Sequence, residues 1–280
     1  MRLAFETWGL GSQPLVLLHG FSGNKTSWRH FTPYWKDLYS VIAVDLPGHG
    51  ESDAPPPGRA GFQATLDALD ALVRERAREP VHVVGYSLGA RMALHWALRG
   101  GGRVVSRLVL ESGTPGLRRR KAQRARVRDD ERWVSLLETK GVSAFVEAWE
   151  RQPLFQTLER IPGELRTALR ERRLSARREG LVASLRALGT GAQRSAWNDL
   201  HRLRVPTLLV TGAQDAKFTE IAKRMSAELP LAWRCTIAGA GHAPHLEAPE
   251  AYAAEVSSFL NHLLPGDEDW TSRAEGRSRS

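Results

Sequence analysis

The chain has 280 residues, 42% of them hydrophobic, enough to bury a sizeable core in one large α/β domain or two small ones. Its single cysteine, Cys235, excludes an internal disulfide and any zinc site built from several thiolates, which fits a reducing, cytoplasmic compartment. The balance of 40 Lys and Arg against 31 Asp and Glu leaves a formal charge of +9, while the N-terminus lacks a signal-peptide apolar core and no apolar run approaches the roughly 20 residues that span a bilayer.

In chain order, the expected strands are Leu3–Trp8, Leu15–Leu18, Ser40–Val44, Val81–Val84, Leu108–Leu110, Thr207–Val210 and Arg234–Ile237. The later ones are short and apolar without alternation, as strands covered on both faces are, and amphipathic stretches separate them. This pattern predicts an α/β fold with a mostly parallel central sheet flanked by helices. From residue 113 to 204 the sequence turns to charged, helix-forming stretches without a good strand, so this span reads as an inserted helical cap. Residues 1–112 and 205–264 form the core, with a last helix over Pro249–Leu264, and residues 265–280 have little to bury and read as a disordered tail.

Arginines crowd between Arg118 and Arg132 and between Arg166 and Arg178. Few aromatics interleave with them and no nucleic-acid module is recognisable, so nucleic acid is not the expected partner. Most of these side chains read as solvated helix faces, with one or two available to point inward at a small anion.

Chemistry concentrates at strand ends. Gly85-Tyr86-Ser87-Leu88-Gly89 fits G-x-S-x-G, and it follows the apolar run "VHVV" and precedes the helical run "ARMALHWAL". A serine at such a strand-to-helix turn exposes its oxygen above the sheet. It needs a base, and the base needs an orienting partner. Asp215 in "VTGAQDAKF" and His242 in "AGAGHAPHLE" each follow a strand, in the order Ser, Asp, His. Asp215 could instead simply cap the next helix. His245, three residues after His242, could suggest a metal, but no supporting acidic ligand set or H-E-x-x-H accompanies it, so no metal or cofactor is expected. His19 and His49 read as loop hydrogen-bonding residues. Phe21 in "LLHGFSG" follows the second strand, where its backbone N–H can pair with that of Leu88 as an oxyanion hole. Arg91, four residues after Ser87, shares its side of the helix; burying it there calls for an anionic partner, either substrate or a structural acid.

Together "HGF", "DLPGHGES", "GYSLGAR", "GAQDAKF" and "GHAPHLEAPE" resemble the α/β-hydrolase superfamily over residues 3 to 264. "LVLESGTPGL", "QRARVRDDERW", "AWERQPLF", "LRALGTGAQ" and "QDAKF" resemble the 2-succinyl-6-hydroxy-2,4-cyclohexadiene-1-carboxylate synthases of menaquinone biosynthesis. That resemblance implies a carbon–oxygen lyase in which a serine triad promotes proton abstraction and pyruvate leaves without hydrolysis. It implies a small polyanionic carboxylate substrate, held by planar cations such as Arg91. It also implies roles for Tyr86, Arg126, Trp149 and one further cap arginine, either Arg173 or Arg177. Trp149 can equally be cap core, and Glu150 stands where the family commonly has an aromatic. The alternative reaction on the same triad is ester or C–C bond hydrolysis, and a non-enzymatic binding module would need a broken triad.

Overall fold

The computed structural model describes residues 1–77, 80–100 and 104–261. Seven strands form one sheet: β1 (Phe5–Trp8), β2 (Gln13–Leu18), β3 (Tyr39–Val44), β4 (Val81–Tyr86), β5 (Val105–Glu111), β6 (Thr207–Gly212) and β7 (Ala232–Ile237). Their order is β1-β3-β2-β4-β5-β6-β7; β1 runs antiparallel to β3 and every other neighbouring pair is parallel. All seven expected strands are present, with β1 beginning at Phe5 rather than Leu3.

The helices are α1 (Thr32–Trp35), α2 (Arg59–Arg76), α3 (Leu88–Gly100), α4 (Arg120–Glu150), α5 (Gly163–Leu174), α6 (Arg178–Leu188), α7 (Ala216–Glu228), α8 (Pro244–Glu247) and α9 (Pro249–Asn261). Along β2, Val16 and Leu18 join the apolar cluster shared with α2 and α3, while Leu15 and Leu17 join the one shared with α9. Both faces are covered, so the strand's period-two alternation of direction is invisible in its composition. The last helix is seen as far as Asn261; its expected remainder and the tail at 265–280 lie outside the described residues. No described helix is long and apolar enough to cross a membrane.

Helices α4, α5 and α6 enter the chain between β5 and β6. Helix α4 is broken at Gly141, whose φ of 78° lies in the left-handed region. These helices and the 3-10 turn Pro153–Arg160 between α4 and α5 carry their own apolar cluster, built on Val134, Phe145, Trp149, Phe155 and Leu181. The cluster extends to Ala243 and Leu246 in the segment after β7 and meets Phe21 and Tyr86, so the inserted helices rest on the loops at the strand ends.

Candidate active site

Ser87 sits between β4 and α3 with φ at 49°, a left-handed conformation unfavourable for a residue with a Cβ. Its backbone N–H donates to the Glu111 carbonyl at the end of β5. The turn closes because its flanks are glycine: a Cβ on Gly85 would lie 2.6 Å from the Gly89 backbone, and one on Gly89 would lie 2.1 Å from the Leu18 carbonyl oxygen. Helix α3 begins at Leu88, so its first amides have no partner within the helix and face the end of the turn.

His242 and Asp215 converge on Ser87 from the ends of β7 and β6. The Nδ1–H of His242 donates to Asp215 Oδ2 at 2.7 Å, and the ring's Nε2 stands 3.4 Å from Ser87 Oγ. A carboxylate at Nδ1 selects the tautomer that leaves Nε2 free to accept a proton. Asp215 Oδ1 also accepts from the Phe218 N–H, capping α7. Asp215 thus makes both contacts: one oxygen caps the helix and the other accepts from the histidine. His245 faces another partner, with its Nδ1 donating at 2.7 Å to the buried Glu111 carboxylate. His19 and His49 are buried loop residues that accept the Leu46 and Ser22 backbone N–H groups respectively. Burial lowers their pKa values to about 4 and about 3, so both are neutral at pH 7.

Two cavities meet at Ser87. The larger, of about 460 Å³, is lined by Phe21, Leu88, Arg91, Arg126, Trp149 and His242, among others. Arg91 is only 8% exposed, and its Nη1 donates to the Leu188 carbonyl at 2.7 Å and to Gln193 Oε1 at 2.5 Å. Neither partner carries charge. Burial, and then repulsion from Arg126, lower its pKa to about 9 against the pull of the Asp130 charge, still well above neutral, so a cation with no carboxylate hydrogen-bonded to it faces this cavity at pH 7. Arg126 is less available: its Nε donates at 2.7 Å to Asp130, one helical turn on, and its side chain is 39% exposed. Trp149 belongs to the apolar cluster of the inserted helices and also reaches the cavities. Its ring packs against Phe145, Phe155, Trp133 and Phe21, yet it lines both cavities and its buried Nε1–H has no partner among the described residues.

The smaller cavity, of about 50 Å³, is lined by Ser87, Tyr86, Trp149, Arg172 and Arg173, among others. Burial, then the Glu111 charge, hold the Tyr86 phenol neutral by raising its pKa well above the usual value. The alternatives left by the sequence separate here. Arg173 is 6% exposed and pairs with Glu150 Oε1 at 3.1 Å, whereas Arg177 turns to the Gly50 and Ser52 carbonyls, away from both cavities. Glu150, the departure from the family pattern, thus serves as counter-ion to Arg173 and to Arg170.

Sequence reasoning missed two serines. Among the described residues, the non-glycine positions with positive φ are Ser22 (62°), Ser87 (49°) and Ser112 (47°). Ser22 lines the small cavity and Ser112 the large one, each 1% exposed with a hydroxyl lacking a partner. The only trace of them in the sequence is a Ser-Gly dipeptide closing a loop after a strand, in "HGFSG" and "LESGT", too common a pair to single them out.

An alpha/beta hydrolase family model matches residues 15–255. A relative from Pectobacterium atrosepticum, named 2-succinyl-6-hydroxy-2,4-cyclohexadiene-1-carboxylate synthase, is 32% identical over 89% of this chain and 94% of its own length. The solved structure of MenH from S. aureus superposes with a TM-score of 0.86 at 32% identity, covering 92% of this chain and 97% of that one. A thermophilic esterase from Thermogutta terrifontis, solved with malate bound, follows at a TM-score of 0.79 and 28% identity, covering 92% of each chain.

Proposed function

Because the chain belongs to the alpha/beta hydrolase family and, within it, to the 2-succinyl-6-hydroxy-2,4-cyclohexadiene-1-carboxylate synthases, we propose that it is a carbon–oxygen lyase. It takes 2-succinyl-5-enolpyruvyl-6-hydroxy-3-cyclohexene-1-carboxylate to 2-succinyl-6-hydroxy-2,4-cyclohexadiene-1-carboxylate and pyruvate, as a cytoplasmic enzyme working without a cofactor. The observation that carries this reading is the buried Arg91, hydrogen-bonded only to the neutral Leu188 carbonyl and Gln193 amide, facing the cavity that also holds Ser87 and His242. An interior cation without a carboxylate bonded to it is costly unless the ligand is anionic, and an ester of an apolar acid offers nothing to it.

In this mechanism Asp215 fixes His242 with Nε2 toward Ser87, and Ser87, kept basic by that imidazole, removes the ring proton next to the succinyl carbonyl. The backbone N–H groups of Phe21 and Leu88 stabilise the enolate oxygen. The electron pair from the broken C–H bond forms a new ring double bond, the existing one shifts, and the ring C–O bond breaks to release enolpyruvate. That leaving group takes up a proton and becomes pyruvate. No acyl-enzyme forms, and no water is consumed. Arg91, Arg126 and Arg173 bind the substrate carboxylates, with Tyr86 and Trp149 shaping the walls and the 113–204 insertion acting as the cap.

The test is pyruvate release from the purified upstream intermediate, run beside short p-nitrophenyl esters because a structural neighbour is an esterase. Stoichiometric pyruvate with slow ester turnover supports the lyase; fast ester turnover without pyruvate replaces it with the hydrolase.

A further inference from the structure

The small cavity has a composition of its own. Arg172 and Arg173 both line it, yet among the described residues no aspartate or glutamate does. Three of its buried polar atoms have no partner among the described residues. Arg173 Nε and Trp149 Nε1 are buried and unpaired, and so is the hydroxyl of Ser22. Arg172 uses its Nε on Thr26 Oγ1 at 3.2 Å, and no acceptor is seen for its remaining N–H groups. Arginine and tryptophan side chains can only donate, so the group that belongs here accepts several hydrogen bonds at once. Burial, then the charge of Arg173, depress the Arg172 pKa to about 10, so two adjacent cations persist at pH 7 with Glu150 as the acid paired to Arg173. Ser22 is held in its left-handed conformation while its N–H donates to His49 Nε2, a strain that persists where the surroundings fix a functional geometry.

We propose that this cavity is a dedicated pocket for the carboxylate at the end of the substrate's succinyl arm, with Ser22 and Arg172 joining Arg173 as its binding residues. The identity of the arm rests on the lyase reading; the preference for a carboxylate does not. Size and connection decide the assignment. At about 50 Å³ the cavity has room for about four water-sized groups, enough for a short chain but not for a ring. The neighbouring 460 Å³ cavity takes the ring and its enolpyruvyl substituent. Ser87 and Phe21 line both, so a succinyl carbonyl held between them sends the ring to one side and the two methylenes with their carboxylate to the other.

A stable mimic tests this without turnover. 4-Oxo-4-phenylbutanoate carries a ring, a carbonyl and the carboxylate arm, whereas 1-phenylbutan-1-one has the same skeleton without the carboxylate. By titration calorimetry the wild-type protein is expected to bind the acid at least tenfold more tightly than the ketone. Arg172→Gln should shrink that ratio at least fivefold, Ser22→Ala at least twofold, and Arg172→Lys should recover part of it. With the natural substrate, the loss in Arg172→Gln should fall on KM more than on kcat. A wild-type ratio near one, or a ratio unmoved in both natively folded variants, overturns the pocket; Ser22→Ala carries the test if Arg172→Gln fails to fold. A ratio that responds in a protein releasing no pyruvate keeps the pocket and removes the lyase reading; pyruvate release with an unresponsive ratio does the reverse.

Discussion

Ser87, Asp215 and His242 each follow the C-terminal end of a strand, where the backbone itself sets their position: a left-handed turn for Ser87, a helix cap for Asp215. Arg126, Trp149, Arg172 and Arg173 belong to helices inserted between β5 and β6, and they reach the two cavities through long side chains. In the proposed reaction the sheet thus places atoms that must stand at fixed distances from a reacting carbon, and the inserted helices place charge. Arg91 joins the two regions. It rises from α3 but hydrogen-bonds Leu188 and Gln193, at and beyond the end of α6.

Removing the reacting oxygen should separate these contributions most strongly. Ser87→Ala is expected to lower pyruvate release by about 10⁴-fold, the upper range for a positioned proton acceptor, while leaving the thermal unfolding midpoint unchanged. Ser87→Gly should be equally inactive yet more stable by about 1 kcal/mol, because the left-handed φ no longer carries a Cβ. A Gly variant no more stable than the Ala variant would show that strain at this turn is not stored at Ser87.

The same contrast explains what could be read from the sequence. Strand-end residues were legible because the order Ser, Asp, His and the glycines around Ser87 mirror a backbone requirement, which depends on local residue types. The seven strands were legible from their apolar runs. Which arginines turn inward was not. "ERRLSARR" offers Arg172, Arg173, Arg177 and Arg178 in one composition, and helix phase against a distant loop sends Arg173 to a cavity and Arg177 to the Gly50 and Ser52 carbonyls. Ser22 and Ser112 were missed because their conformation is imposed by tertiary contacts.

Arg91 and Arg126 sharpen the comparison next. Arg91→Met should lower kcat/KM on the order of 10²-fold, as loss of a desolvated charge contact does, and should also destabilise the fold by about 1–3 kcal/mol, because the Leu188 carbonyl and Gln193 amide lose their donor. Arg126→Met should cost about tenfold in kcat/KM, being partly exposed and already paired with Asp130. Steady-state kinetics with urea titration of both variants checks this. Equal losses of activity in the two would mean that position in the cavity, rather than exposure and pairing, sets their roles.

The most gradual effect separates the strand-end loops from the inserted helices by pH. His19 and His49 stand in the loops after β2 and β3, buried and neutral, with folded pKa values of about 4 and about 3 against an unfolded value near 6.5. Between those limits the unfolded chain binds more protons than the folded one, so stability rises with pH in that window. The contribution is complete above about pH 6.5 and drains away as the pH falls toward 4, at up to about 1.4 kcal/mol per pH unit for each histidine. Urea unfolding from pH 7 to pH 4.5 should show this decline, reduced in His49→Gln because one titrating group is gone. A slope unaltered by that substitution would place the acid sensitivity elsewhere. Since Ser22 N–H donates to His49 Nε2, protonating that ring also removes the acceptor that holds Ser22 at the mouth of the small cavity. With a folded pKa of about 3 the ring takes up that proton only below the range in which the stability is lost, so down to about pH 5.5 binding of the keto acid should stay unchanged in the folded protein, and an earlier loss would show that another group controls the small cavity.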